Sequence, residues 1–516
     1  MTVFTINNSP GNGWLSKERE YLDPLKQSGL AKETIAKSLS IVMILAFAQR
    51  LIGIVKAILF ARLLGPHNYG IYGLAFNSIN LIVTFCGLGI PSSYIRYVTV
   101  YEEQGSLKDF LAKTIRIGLG VSFLVGLCFF IFSGTVSRLI YGDPREKNVI
   151  MWIGLVVVPL VLAPYISSAF SGLRVFKRTA VLELSHMVLF CLIGVPLVLL
   201  IGRRVESVMA GEFIAISLVV AFFSRSLFKS LSAQNLPVEE KGFHRKILRF
   251  SVWFVVIPFE LMLFNYMDRW FINHKLGSDQ VGIYTVAAGF TELALMVGIV
   301  IGRVLAPHLS HAWEKGEKEK AMRTMNLAMR LSLMGLFNIA VLLHVLSPIL
   351  IRLLFGTAYA GAAQVIAVLL IYQILKSLYW IVSIYPSLIE KTRLPLLSVT
   401  IGVILNGFLN YLLIPRIGIL GAAIAGSGAF LVLIALFLFH CSQRGLIVES
   451  RSILCIIFVP LLALRNDIAL VGICVALLTI SFFTPLVFTA GEKKLLREKL
   501  SFPWWRAPGE PPVDVS

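Results

Sequence analysis

Charged side chains stand within, or at the edge of, runs that are otherwise apolar, among them Arg50, Lys56, Glu183, Glu212, Glu260, Asp268, Glu292 and Lys376. A charge at the centre of a bilayer costs about 2.5 kcal/mol or far more, so it needs a partner or water. Arg50, flanked by Gln49, and Lys56, six residues on and about 120° round a helix, suit an anionic head group. A guanidinium meets phosphate with two parallel hydrogen bonds, a fork that an ammonium lacks. Arg50 is also placed for a salt bridge to a glutamate of a neighbouring helix, and the stem of Lys56 can snorkel. The five acids can each hold a coupling proton or sodium ion, or pair with Arg50, Lys56 or Arg269. His186 and His344 read as hydrogen-bonded packing residues, and Asn77, Asn265, Asn406 and Asn410 as interhelical hydrogen-bond partners. No P-loop, GxSxG, HExxH or dinucleotide fingerprint is present, so nothing points to a catalytic group, a metal, a cofactor or ATP-driven work.

The elements that must position these groups are membrane helices. Of the 516 residues 57% are hydrophobic and 15% charged, with a mean hydropathy of +0.82. A soluble domain carries about 25% charged residues. Apolar runs of about 20 residues, the length needed to cross roughly 30 Å of hydrocarbon, recur from Leu39 to Ala490. Strand-period alternation is missing, which excludes a barrel reading. The expected fold is an all-α polytopic membrane protein of about fourteen spans, the thirteenth short and weak. Prolines at 159, 164, 196, 258 and 386 fall inside spans and mark expected kinks. The first 38 residues are polar, with no signal peptide, and the six cysteines form no CxxC pair or loop framework.

The net charge of +19 is an orientation signal and does not call for nucleic acid. Roughly 33 of the 47 basic residues fall in the even loops and both tails, which places both termini in the cytoplasm. Among them are Arg96, Lys108, Arg174, Arg245, Arg249 and Lys320.

The chain also writes one loop twice. FARLLGPHNYGIY, residues 60–72, returns as INHKLGSDQVGIY, residues 272–284. A slide of 212 residues lays Gly65 on Gly277, Gly70 on Gly282 and Tyr72 on Tyr284, with Lys56 landing on Asp268 and Asn80 on Glu292. SRLIYG at 137–142 matches IRLLFG at 351–356 with a slide of 214, and Arg178 matches Arg393 with 215. Three matches in order define an internal repeat. Each copy holds six spans, an even number, so both enter the bilayer alike and form two six-helix lobes about an axis along the membrane normal, with a cavity that opens to alternate sides. The expected divisions are a tail at 1–37, one lobe at 38–230, a linker at 231–247, the second lobe at 248–441, two extra helices at 451–490 and a tail at 491–516.

ARLLGPHNYGIYGLA, LLFGTAYAGAAQVIAVLL and NYLLIPRIGILGAAIA resemble the polysaccharide-exporter branch of the multidrug/oligosaccharidyl-lipid/polysaccharide (MOP) superfamily. The likeness runs from about Ala36 to Ala490. It implies a flippase in the cell membrane that moves a polyprenyl-diphosphate-linked oligosaccharide to the outer leaflet through a cationic cavity, alongside polysaccharide assembly proteins. Arg50 matches the family's habit of basic residues on the first helix. Two rivals are a cation-coupled multidrug antiporter of the same superfamily and a membrane glycan polymerase or ligase. The second would need a substantial outer loop, and the odd loops here are short.

Overall fold

A computed structural model describes residues 35–232, 236–238, 240, 242–464, 467–484, 487–489 and 492–493. The described residues are helical throughout, with short turns and no strand. Of the expected tails at 1–37 and 491–516, residues 1–34, 491 and 494–516 lie outside them.

The first helix, α1 (Ile35–Cys86), is 52 residues long. At about 1.5 Å per residue it would far overshoot a bilayer if straight. It does not run straight. Lys56 Nζ lies 5.1 Å from the ring of Phe76, and the rings of Phe60 and Tyr72 are 5.9 Å apart. In a continuous helix residues 56 and 76 would stand about 30 Å apart. The chain reverses at Gly65 (φ 72°, ψ 171°), a conformation that only glycine adopts readily, and Pro66 then restarts the helix.

Next come α2 (Ile90–Glu103), α3 (Leu107–Ile131), α4 (Ser133–Tyr141), α5 (Lys147–Gly172), α6 (Phe176–Leu200), α7 (Val205–Ser230), α8 (Phe243–Ser251), α9 (Trp253–Leu276), α10 (Ser278–Glu314) and α11 (Lys318–Leu354). The remainder are α12 (Ala363–Val382), α13 (Ile384–Leu388), α14 (Leu396–Ile417), α15 (Ile419–Ser442), α16 (Ser450–Phe458) and α17 (Asp467–Phe483). Among the described residues nine helices are individually long and apolar enough to span, and two bent pairs span jointly. With the reversal at Gly65 these make twelve passes. Two shorter apolar helices, Ser450–Ala463 and Ile468–Thr479, follow, in keeping with a weak thirteenth span. The chain is a multi-pass membrane protein.

Of the expected kinks, Pro386 lies just past a break at Ser383, while the two pronounced bends fall away from the prolines singled out above. Helices α5, α6 and α9 run on through Pro159, Pro164, Pro196 and Pro258. The break before α2 bends 41° at the left-handed pair Leu88 and Gly89, and that between α8 and α9 bends 42°. The two breaks meet: a Cβ on Gly89 would collide with the carbonyl of Ser251.

The described chain divides into two compact units, one up to Tyr266 and one from Met267. The backbone repeats between them. Left-handed residues recur as Gly65 and Gly277, Gly105 and Gly316, Gly142 and Gly356, Arg174 and Glu390, and Gly202 and Gly418. The slide is 211 or 212 for the first two pairs and reaches 216 for the last two. At the third sequence match it is one residue longer than the residue identities suggest. Arg174 and Glu390 are the telling pair, because a side chain at positive φ is costly and both copies keep it. Each closes the same helix-ending turn: Val175 N–H donates to Phe170 at 2.9 Å, and Lys391 N–H to Pro386 at 2.8 Å.

Small residues set the helix spacing within each unit. A Cβ on Gly126 would come within 2.6 Å of Gly154 O, and one on Gly211 within 2.6 Å of Gly194 Cα. In the second unit Gly421, the first residue of GAAIAGSG, lies equally close to the backbone of Leu413. Close backbone approach of this kind replaces the hydrophobic drive that lipid removes.

Candidate functional site

In the first unit the polar groups gather where α1, α6 and α7 meet. Helical spacing puts Glu183, His186 and Phe190 on one face of α6. Gln49, on α1, donates from Nε2 to Glu183 Oε2 at 3.3 Å and to Ala180 O at 3.2 Å. Arg50 is half-buried beside it. Seven residues beyond Gln49, the ammonium of Lys56 sits 5.1 Å from the Phe76 ring and 5.2 Å from the Phe190 ring. Among the described residues no carboxylate lies within ion-pair distance of Lys56. Two ring faces stabilise a desolvated ammonium without cancelling its charge.

His186 Nε2 lies 3.0 Å from Glu212 Oε1 on α7. Glu212 is buried, and its other carboxylate oxygen has no hydrogen-bond partner among the described residues. Cys191 is within electrostatic reach of both Lys56 and Glu212. The histidine thus does more than pack: it is the polar partner of a membrane acid. Glu260 is half-buried on α9.

The second unit builds a different centre at the equivalent place. Asp268, on α9, is buried. Its Oδ2 accepts from Tyr284 Oη on α10 at 2.9 Å, and its Oδ1 accepts from Asn410 Nδ2 on α14 at 2.8 Å. The same Asn410 amide reaches Asn406 Oδ1. Arg269 lies over the Tyr284 ring at 5.8 Å, and Lys376, on α12, over the Tyr372 ring at 5.3 Å. Glu292 on α10 and Arg269 both act electrostatically on Lys376.

The repeat loops hold both centres in place. Gly65 and Gly277 turn the chain, and Gly70 and Gly282 are buried in the following helices. Tyr72 and Tyr284 then do different work. Tyr72 packs among Phe60, Tyr69 and Phe76, whereas Tyr284 donates to Asp268. Asn406 and Asn410 bridge helices as expected. Asn77 instead donates to the carbonyl four residues back, at 2.7 Å, and Asn265 makes the same bond within its own helix at 3.0 Å. Lone amides in apolar helices can be satisfied within their own turn, which the sequence pattern does not distinguish.

Sequence reasoning placed Lys376 inside or at the end of a span without giving it a role, and passed over Arg330. Arg330, on α11, is fully buried and bridges Glu449 (2.6 Å) and Glu492. Its neighbour Asn326 accepts from Glu449 N–H and Ser452 Oγ, and donates to Ile447 O. Together they fasten the segment leading into α16, and the stretch after α17, onto α11. The partners lie 119 and 162 residues away, so no spacing could have signalled them.

Comparison with known proteins identifies the family. The profile of the polysaccharide biosynthesis protein family matches residues 35–313, more than half of the chain, and the MatE profile matches residues 255–412. The chain belongs to the polysaccharide biosynthesis protein family, in the polysaccharide branch of the MOP superfamily. A probable low-salt glycan biosynthesis flippase of Haloferax volcanii, Agl15, is 23% identical over 376 residues, covering 72% of this chain and 76% of that protein. A Shigella flexneri protein assigned as an O-antigen transporter is 25% identical over 385 residues, covering 71% and 88%. The lipid II flippase MurJ in its inward closed conformation shares the fold, with a TM-score of 0.68 at 16% identity over 89% of this chain and 99% of that one.

Proposed function

We propose that this protein is a flippase that moves a polyprenyl-diphosphate-linked oligosaccharide, a repeat unit of cell-surface polysaccharide, from the cytoplasmic to the outer leaflet of the cell membrane by alternating access. The observation that carries the reading is Lys56, a mid-span cation with aromatic neighbours and no carboxylate partner, in a chain of the polysaccharide biosynthesis family. A diphosphate cannot enter hydrocarbon unaided, because burying an unpaired charge is prohibitive. Cations held inside the bilayer substitute for its water, while the polyprenyl chain stays among the lipid tails. Arg50 and Lys56 are the head-group contacts in this reading. The basic even loops set both termini in the cytoplasm. The protein is a transporter, not an enzyme, and works beside polysaccharide assembly proteins.

Movement between two states needs a ligand that favours one of them. Two centres suit a coupling ion. His186 with Glu212 can share a proton, and Asp268 with the amide oxygens of Asn406 and Asn410 offers oxygen ligands to a sodium ion.

Deletion of the gene followed by mass analysis of accumulated lipid-linked glycans tests the function and names the sugar. The MatE match favours one competing reading, a cation-coupled multidrug antiporter. Export of cationic dyes by reconstituted protein, with no accumulated lipid-linked glycan in the deletion strain, would replace the flippase reading with that one.

A further inference from the structure

We infer that the outward face of α8 binds the head groups of anionic phospholipids in the cytoplasmic leaflet. The choice of leaflet rests on the orientation proposed above; the lipid contact itself does not. The sequence of α8, FHRKILRFS, has one apolar and one basic face. Phe243, Ile247 and Ser251, each one turn apart, are buried. Arg245 and Arg249 share the opposite face, also one turn apart, and both are exposed.

The buried face is anchored within the first unit. The Phe243 ring stands edge-on to Phe110 at 6.0 Å and to Tyr101 at 6.1 Å, and Phe250 meets Tyr97 at 5.3 Å. The linker before α8 is pinned as well. Leu236 N–H donates to Gly105 O at 3.1 Å, Val238 N–H to Asp109 at 2.8 Å, and Lys113 Nζ to Val238 O at 2.9 Å. The arginines are thus presented by a fixed platform. Its cations fall into two groups. Lys113 pairs with Asp109 at 2.9 Å and Lys246 with Glu240 at 2.6 Å. Arg96, Arg245 and Arg249 have no carboxylate within ion-pair distance among the described residues. Arg96 reaches over from α2, its guanidinium 5.3 Å from the Phe250 ring. Like charges one turn apart oppose helix formation, so an external anion steadies α8.

The apolar border selects a lipid. Ile95, beside Arg96, is exposed, and so are Val252, Trp253 and Phe254 directly after α8. Helices α8 and α9 make one bent span, with α8 at the linker end. Exposed apolar side chains therefore pass into exposed arginines where the span leaves the hydrocarbon. Tryptophan favours that level, and guanidinium groups there meet lipid phosphates. A soluble acidic partner would gain nothing from the apolar border.

The test uses the full-length protein in phosphatidylcholine nanodiscs with and without phosphatidylglycerol of the same acyl chains. Phosphatidylglycerol should slow hydrogen exchange over residues 243–251 several-fold. Its apparent affinity should fall about fivefold for each arginine removed in Arg245→Gln and Arg249→Gln. The double lysine variant, Arg245→Lys with Arg249→Lys, should keep most of the slowing, because the charge remains. Equal exchange in the two lipids, or an undiminished effect in the double glutamine variant, overturns the inference and leaves the flippase reading standing. Greater slowing by sugar-free polyprenyl diphosphate than by phosphatidylglycerol, at equal lipid charge, would make the patch a substrate contact and overturn it too. A protein that shows the phosphatidylglycerol effect but flips no lipid-linked glycan would lose the flippase reading alone. Labelling of the exposed Lys246 by an impermeant amine reagent outside intact cells would overturn the leaflet and the orientation together.

Discussion

Lys56 and Asp268 occupy the same position of the repeat, 212 residues apart, and carry opposite charges in opposite surroundings. Lys56 sits between two phenyl rings; Asp268 is held by a tyrosine hydroxyl and an asparagine amide. The neighbours changed in step with the charge. Tyr284, the repeat partner of Tyr72, donates to the acid, and the 216-residue slide that relates Gly202 to Gly418 brings Phe190 onto Asn406. The two copies of the repeat thus carry opposite charges at equivalent positions, each with neighbours suited to it.

Exchange of the first-unit cations should stop transport and spare the fold. Arg50→Ala and Lys56→Met are each expected to cut flipping by about tenfold or more while the protein inserts at its normal level, since each removes one charged contact. Flux in proteoliposomes with equal protein content measures this. Full activity of both variants removes them from the head-group site.

Breaking the Asp268 centre should cost stability. Hydrogen bonds to a charged group contribute about 1.5–3 kcal/mol, so Asp268→Asn is expected to lose about 2 kcal/mol. Tyr284→Phe should lose less, and the double variant less than the sum, because the two share one bond. Thermal unfolding in detergent gives the three values. Strict additivity would mean that the bond contributes nothing.

Glycines at the two repeat loops should fail by angle, and those between helices by volume. Open space surrounds a Cβ at Gly65 or Gly277, yet their backbone angles lie where other residues are strained, so Ala there should cost about 1–3 kcal/mol. At Gly211 the backbone is helical, but the new methyl meets Gly194. Gly211→Ala should therefore be rescued in part by no change in loop sequence, only by re-spacing of α6 and α7. Melting temperatures of the three variants, with and without loop replacements, separate the mechanisms.

Removing the Arg330 charge should release the C-terminal helices before the rest of the unit. Loss of one partner from a buried ionic cluster costs about 3–5 kcal/mol, and Arg330→Met leaves Glu449 and Glu492 without their shared cation. Limited proteolysis should then cut near residues 443–449 while residues 267–440 stay protected. An unchanged digestion pattern rejects the clamp.

The linker should loosen in acid. The Lys246 ammonium, 2.6 Å away, and the Tyr101 hydroxyl, at 2.9 Å, hold Glu240 below the usual carboxylate range. A lowered folded value means that this contact stabilises the folded linker fully above the ordinary glutamate range and fades as pH falls through the folded value. The effect is small, since both side chains are more than a third exposed. Protection factors at Val238 and Glu240, taken against the intrinsic exchange rate at each pH, should fall in acid in wild type, and in Glu240→Gln should be lower already at neutral pH. Identical exchange in the two proteins at pH 7 would count against the contact.

Much of this protein was legible in its residues. Hydrocarbon is about 30 Å thick and satisfies no backbone group, so apolar runs of about 20 residues dictate helices, and their count and the repeat can be read directly. Gly65 and Gly277 were legible for the same reason: a tight reversal admits few residue types. The acids and cations inside spans could be listed, but their roles could not. Whether Lys56 meets a carboxylate or a pair of rings, whether His186 packs or pairs with Glu212, and whether Asn77 bridges helices or bonds its own turn depend on which helix faces rotate together. Arg330 finds its carboxylates 119 and 162 residues away, and Lys376 meets the fields of Arg269 and Glu292 only once the helices pack. Periodicity is a local property of the chain, and charge balance inside a membrane is a property of neighbours that only folding brings together.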